Sequence, residues 1–485
     1  MNPGRLVFPA LRADADGGFS QEAGTIRTGL DVGAGGFIIF GGNVASVGAL
    51  ATDLVQAAGR PLLLASDLER GAGQQVAGLT ELPPPAALAW LEQPDVIRWA
   101  GGLTAAEARS VGLNWAFAPV ADLDVLPENP IVQTRAFGGD PEMVAGCVRD
   151  WVEGCQAVGA LACAKHYPGH GRTAVDSHLA LPSVPDDAAV LITQDERPFA
   201  SAVEAGVASI MTAHVAYPAL DPSGRPATLS PPILARLRQG LRFDGIVVTD
   251  ALIMEGALSG QSEGAAAVAA LAAGVDVLLY PNDAAAVSRA VREAVEAGIL
   301  PRERLLEAER RYDAALARVA SPPARVPPGP YETAEHLADA LIDRGLLRGS
   351  VRGLKAPIEL VVVDDDLGGP YASSPSDYLA GWLDGRGLVG PGGSRVVLVF
   401  AEPRAWKGRG GLGPAALAQL AGAAPSADLI VLFGHPRLES SIPGERPLLL
   451  AWHRQRLMQE AVGRWLGART GSLGGAGRPE TRGGT

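Results

Sequence analysis

The chain has 485 residues, 47% of them hydrophobic, and a formal net charge of −12. That length accommodates two or three domains. An acidic balance with no basic run argues against nucleic acid or an anionic membrane surface as a main partner. Gly and Pro, 61 and 38 residues, punctuate elements without reaching the level that marks disorder. Three cysteines, Cys147, Cys155 and Cys163, fall in one stretch and make a poor disulfide framework, so a reducing compartment is expected. The opening MNPGRLVFPALRADADGG lacks the apolar run of a signal peptide, and no later run reaches transmembrane length. The expected localisation is cytoplasmic.

In chain order, short apolar runs occur at Leu6–Ala10, Gly36–Phe40, Pro61–Ala65, Asn114–Val120, Ala160–Ala164, Val207–Met211, Gly245–Val248 and Val275–Tyr280. Alanine-rich segments lie between them, among them Ser46–Ala58, Pro141–Val158, Pro198–Ala205 and Glu263–Ala273, all of good helix formers. Eight strands alternating with helices over the first 320 residues predict a closed (β/α)8 TIM-like barrel. A doubly wound open sheet is the alternative. The barrel reading requires functional polar groups just past the strands, at the C-terminal rim. Five consecutive strand ends carry them: Ser66-Asp67-Leu68-Glu69-Arg70, Asp122 with Asp124, Lys165-His166, Thr212-Ala213-His214 and Thr249-Asp250.

Residues 321–330, SPPARVPPGP, hold five prolines in ten residues and read as a stiff exposed linker. A second, smaller α/β domain with a parallel sheet is expected over 331–469, shaped as an αβα sandwich. It comprises a helix at Tyr331–Leu347, strands at Ile358–Val363, Arg395–Phe400 and Asp428–Phe433, and helical stretches at Gly413–Gly422 and Pro447–Leu466. The Gly- and Arg-rich tail, 470–485, is expected to be disordered.

The densest chemistry lies in AKHYPGHGRTAVDSHLALP, Ala164–Pro182, which holds three of the seven histidines together with Lys165 and Asp176. Pro168, Gly169 and Gly171 break regular structure after the strand. In an extended loop Asp176 and His178, two apart, point the same way, so the carboxylate would orient the imidazole and favour its charged form. Loop polars bonding their own backbone, or metal ligands, are the competing readings. Opposite this loop Asp250 closes the strand VVTD. A carboxylate facing a proton donor suits glycoside cleavage through a covalent intermediate, in which retention needs the two groups about 5 Å apart.

KHYPGHG followed by DSH, with VTDALIMEG further on, resembles glycoside hydrolase family 3, specifically its β-N-acetylglucosaminidase branch, whose members include enzymes that trim cell-wall muropeptides. FAPVADLDV, TRAFGGDPEMV and MTAHVAYPALDP extend the resemblance over residues 5–320. LFGHPRLESSIPG is similar to a late strand and turn of the family's C-terminal sandwich, here shortened. The resemblance implies that Asp250 is the nucleophile, His178 the general acid/base and Asp176 its orienting partner. It also implies that Lys165 and His166 hydrogen-bond sugar hydroxyls while Asp67 and Arg135 grip the ring at the non-reducing end. The implied substrate is a β-linked N-acetylglucosamine oligosaccharide or muropeptide, with no cofactor and no metal. A neutral imidazole does not repel an incoming anion as a carboxylate does, so inorganic phosphate is a conceivable acceptor and phosphorolysis an alternative outcome, as is β-glucosidase activity. Two positions depart from the family pattern: Ala251 stands where many relatives have an acid, and Arg70 where a small residue is common.

A metal-dependent barrel hydrolase would carry a His-x-His pair on its first strand, which here ends Phe8-Pro9-Ala10. A sugar-binding protein on a retired barrel would have lost the nucleophile or the dyad, and Asp250, Asp176 and His178 are all present.

Overall fold

The computed structural model describes residues 2–174, 181–258, 260–326, 328–369 and 374–470. Two compact units emerge, one formed by Met1–Pro330 with Ala405–Gly410 and the other by Tyr331–Arg404 with Gly411–Thr485.

In the first unit the strands are β1 (Val7–Phe8), β2 (Ala10–Arg12), β3 (Gly36–Phe40), β4 (Leu63–Ser66), β5 (Trp115–Ala116), β6 (Leu161–Tyr167), β7 (Ser209–Thr212), β8 (Ile246–Thr249) and β9 (Leu278–Leu279). β2 through β8 pair in sequence order, every pair parallel. β1 pairs with β9, and Val248 bridges Val277, so the ring closes. β1 and β2 are one strand position interrupted at Pro9, which has no N–H to donate but whose carbonyl accepts from Ile38 N. The eight strand positions and the helices between them make the TIM-like barrel that the spacing predicts.

The barrel interior is filled, not open. Phe8, Ile38, Leu63, Trp115, Leu161, Met211, Val248 and Leu279 meet in one core. Trp115 packs edge-on against Phe8 and Phe117 and donates its indole N–H to Ser209 Oγ at 2.7 Å, which satisfies its one polar atom. Cys163 lies in this core, and burial pushes its thiol up to about 12, so it is an inert filler. Outside the strands, helices Pro94–Ser110 and Pro141–Ala157 approach each other closely. Glycine makes this possible on both sides: a Cβ on Gly154 would sit 1.9 Å from Arg98 O, and one on Gly101 would sit 2.3 Å from Trp151 O. The Pro-rich segment after the barrel is tethered rather than loose, since Arg109 donates to the carbonyls of Val319 and Ser321 and Ala324 N to Val158 O.

The second unit has a five-stranded sheet of β10 (Leu346–Arg348), β11 (Ile358–Asp364), β12 (Ser394–Ala401), β13 (Leu429–Gly434) and β14 (Leu448–Leu450), ordered β10-β14-β13-β12-β11. β11 to β14 are parallel. Two expectations need correction. The sheet is not wholly parallel, because β10 runs antiparallel to β14. Pro447–Leu466 is not one helix but β14, a buried Leu448-Leu449-Leu450 strand, followed by the helix Arg456–Arg469; a short run of three leucines fits either element by periodicity. Helices Ala334–Arg344 and Tyr378–Asp384 pack on Arg456–Arg469. Arg454, with its side chain 2% exposed, is buried between Asp364 and Asp366. The expected disordered tail lies outside the described residues from 471 on. Among the described residues no helix is long and apolar enough to cross a membrane.

Candidate active site

Polar side chains gather at the C-terminal ends of β4 to β8, where a parallel barrel leaves its strand ends open to ligand. Past β4, Asp67 Oδ1 accepts from Lys165 Nζ at 2.6 Å. Lys165 Nζ is also 2.8 Å from Glu69 Oε1. Arg135, on a short turn Gln133–Arg135, donates from Nε and Nη2 to the two oxygens of Glu69 at 2.8 and 2.7 Å. Asp67 and Arg135, expected to grip the ring at the non-reducing end, are therefore linked through Lys165, expected on the sugar hydroxyls, and Glu69. Burial works against each charge and the partners win: Glu69 is held well below the usual carboxylate range by Arg135 and Lys165, and Lys165 is raised by Asp67 and Glu69.

His166 is adjacent to Lys165, yet both side chains meet polar partners at the rim. Two residues of β6 oppose one of β7 here, Lys165 pairing with Met211 and Tyr167 with Thr212, a bulge of the kind that re-aims a side chain. The Lys165–His166 peptide is cis. Fully buried Asp122, past β5, receives His166 Nδ1 on Oδ2 at 2.7 Å and the backbone N–H groups of His166 and His170 on Oδ1 at 3.1 and 2.6 Å. Burial alone would raise the Asp122 carboxyl, and the neighbouring His166 and the bonds it accepts hold it below its ordinary value. His170 is pushed down to about 4, first by burial and then by His166, so it is neutral; its Nδ1 is 2.8 Å from Thr173 Oγ1.

Asp250 follows β8 and is half-buried. Its Oδ1 accepts from Ala251 N at 2.7 Å. Burial pushes the carboxyl up, but His166, His214, the Ala251 N–H and Lys165 together hold it at about 2, so it is an anion throughout the physiological range. His214 is kept neutral by burial. Its Nε2 donates to the Ala251 carbonyl at 3.1 Å, leaving Nδ1, 2.8 Å from Thr228 Oγ1, as the acceptor. A ring held at both nitrogens thus fixes the backbone beside Asp250.

The loop after β6 is anchored at its described ends. Asn129 Nδ2 donates to the carbonyls of His170 and Gly171, while its Oδ1 accepts from Ile131 N and Val132 N. Arg172 binds Asp195, Asp186 and Gln194. Asp176 and His178, the expected dyad, lie outside the described residues. Arg70, the departure from the family pattern, is engaged with Glu81. Glu69, Asp122 and His214 stood among the strand-end polars of the sequence without a role. Apart from Thr228, 14 residues from His214, their partners lie from 37 residues away, for His214 and Ala251, to 96, for Glu69 and Lys165, so no local spacing could reveal them. The ionised Asp250, the oriented imidazoles and the charged rim together suit a sugar ring bound for attack at its anomeric carbon.

The model of the glycosyl hydrolase family 3 N-terminal domain matches residues 28–315. Over 301 residues the chain is 38% identical to a β-hexosaminidase of Methylococcus capsulatus, covering 60% of this chain and 85% of that one. It is 34% identical over 308 residues to a β-N-acetylglucosaminidase/β-glucosidase of Cellulomonas fimi, again 60% of this chain but 53% of that enzyme, so the match spans about half the length of that relative. The solved structure of a glycoside hydrolase family 3 β-N-acetylglucosaminidase from Paenibacillus sp. str. FPU-7 superposes with a TM-score of 0.82 at 28% identity, covering 97% of this chain and 96% of that one. The chain is a glycoside hydrolase, a member of glycosyl hydrolase family 3 whose N-terminal domain is the barrel.

Proposed function

We propose that this protein is a retaining exo-β-N-acetylglucosaminidase that releases terminal N-acetylglucosamine from β-linked glycosides. The observation that carries the reading is Asp250, a half-buried carboxylate at a barrel strand end held ionised by its neighbours. The names of the hexosaminidase relatives, at 34–38% identity, support the acetamido sugar as substrate.

In this proposal Asp67, Arg135, Lys165 and His166 bind the ring hydroxyls. An Asp250 oxygen attacks the anomeric carbon as the bond to the leaving oxygen breaks, and His178, oriented by Asp176, gives that oxygen its proton. Neutral His178 then takes a proton from water, the water oxygen attacks the same carbon, and the ester to Asp250 breaks with overall retention. Cell-wall muropeptides are the natural substrate favoured by the family resemblance, met in the cytoplasm.

The β-glucosidase half of the Cellulomonas fimi enzyme's name favours one second reading, glucoside cleavage at the same site. Hydrolysis of an aryl β-N-acetylglucosaminide beside the matching β-glucoside, each with and without inorganic phosphate, separates the outcomes. Preference for the acetamido sugar with free sugar as product is expected. Turnover of the glucoside alone, or release of sugar 1-phosphate, would reassign substrate or acceptor.

A further inference from the structure

We infer that Glu69 is a positioning residue for sugar binding, a buried carboxylate that holds Lys165 and Arg135 at the spacing the ring requires; this rests on the function proposed above. Its side chain is 6% exposed, against 28% for both Arg135 and Asp67, so it lies behind those two, while Lys165 beside it is 3% exposed. Glu69 Oε1 takes one Lys165 N–H and one Arg135 Nη2–H, and Oε2 takes the Arg135 Nε–H. A guanidinium carries five N–H donors and an ammonium three. With Glu69 and Asp67 served, Lys165 keeps one donor, and Arg135 keeps the outward edge of its fork for hydroxyl groups.

Two features make the geometry depend on this one carboxylate. Lys165 and Arg135 repel each other, and Glu69 is the anion shared by both. Arg135 sits two residues after Gln133, whose φ of 36° is in the left-handed region that a non-glycine residue rarely adopts. Its other hydrogen bond goes to the Ile131 carbonyl at 3.3 Å, too long to aim a guanidinium. A buried cluster of ions also costs desolvation that apolar side chains would avoid. A role at the ligand rather than in folding explains such a cluster at the rim.

The test combines steady-state kinetics on an aryl β-N-acetylglucosaminide with calorimetric binding of free N-acetylglucosamine, for wild type, Glu69→Gln, Arg135→Lys and the double variant. Ring-hydroxyl contacts act on ground and transition states alike, so Glu69→Gln is expected to raise KM and the sugar Kd at least about tenfold while kcat stays within about threefold. Because Glu69 works through Arg135 as well as Lys165, the double variant is expected to lose clearly less binding than the sum of the two single losses, a non-additive cycle. Unchanged KM and Kd with a lowered melting temperature would make Glu69 structural only and overturn the inference. Additive losses in the cycle would also overturn it. A wild type that neither cleaves the glycoside nor binds the sugar would overturn the functional reading first, whereas an active wild type with an indifferent Glu69→Gln would remove this inference alone.

Discussion

His166 Nδ1 lies 2.7 Å from Asp122 Oδ2, and because the Asp122 carboxyl is held ionised it can only accept. Nδ1 therefore carries a proton, which fixes the orientation of the ring. Asp122→Asn offers an amide that can donate to Nδ1 and reverse the tautomer. It is expected to lower kcat/KM about 10- to 100-fold, the equivalent of about 1.5–3 kcal/mol for a charge-assisted hydrogen bond. Steady-state kinetics with a melting curve as control checks this; unchanged kcat/KM would remove Asp122 from the site.

Asp195 is buried and bound to Arg172, and among the described residues its Oδ1 has no partner. Burial pushes its carboxyl up to about 6 against the pull of Arg172, with Asp186 and Asp122 adding to the rise. The folded state then keeps a proton that the unfolded chain releases near pH 4, so this group's stabilising contribution is present below about pH 4 and lost as pH rises through about 6. Asp195→Asn should remove that slope. Its melting temperature relative to wild type is expected to climb between pH 4 and 7, by the equivalent of about 2 kcal/mol. A constant difference across that range would contradict the assignment.

Gly154 faces Arg98 O with no room for a side chain. Alanine is the better helix former by up to about 1 kcal/mol, but the added methyl forces the helices Pro94–Ser110 and Pro141–Ala157 apart at a cost of about 1–3 kcal/mol. Thermal unfolding of Gly154→Ala should show net destabilisation; an equal or higher melting temperature would mean the interface yields.

Much of the barrel was legible in the sequence because most of its strands are short, largely apolar runs with a polar residue at or just past the end. Glu263–Ala273 is a helix with the bounds read from composition. Lys165 and Asp67 were legible as rim residues for the same reason. What joins Lys165 to Arg135 was not, since Glu69 looks like any strand-end polar until the fold brings Arg135 to it across 66 positions. The second unit was read less well. Tyr378–Asp384 is too short to show a helical period, and the direction of β10 depends on pairing with β14, about 100 residues later, which no local pattern encodes.

The covalent role of Asp250 is the claim on which the mechanism turns. Its neighbours hold that carboxyl at about 2 against the pull of burial, so it is ionised at neutral pH, as the proposed nucleophile must be. The most direct test is to quench wild type and Asp250→Ala during turnover of an activated aryl β-N-acetylglucosaminide and map the peptides by mass spectrometry. The expected result is one N-acetylglucosaminyl group on the wild-type peptide that contains Asp250, with neither adduct nor turnover in a folded Asp250→Ala protein. Turnover by Asp250→Ala, or an adduct on another residue, would contradict the account.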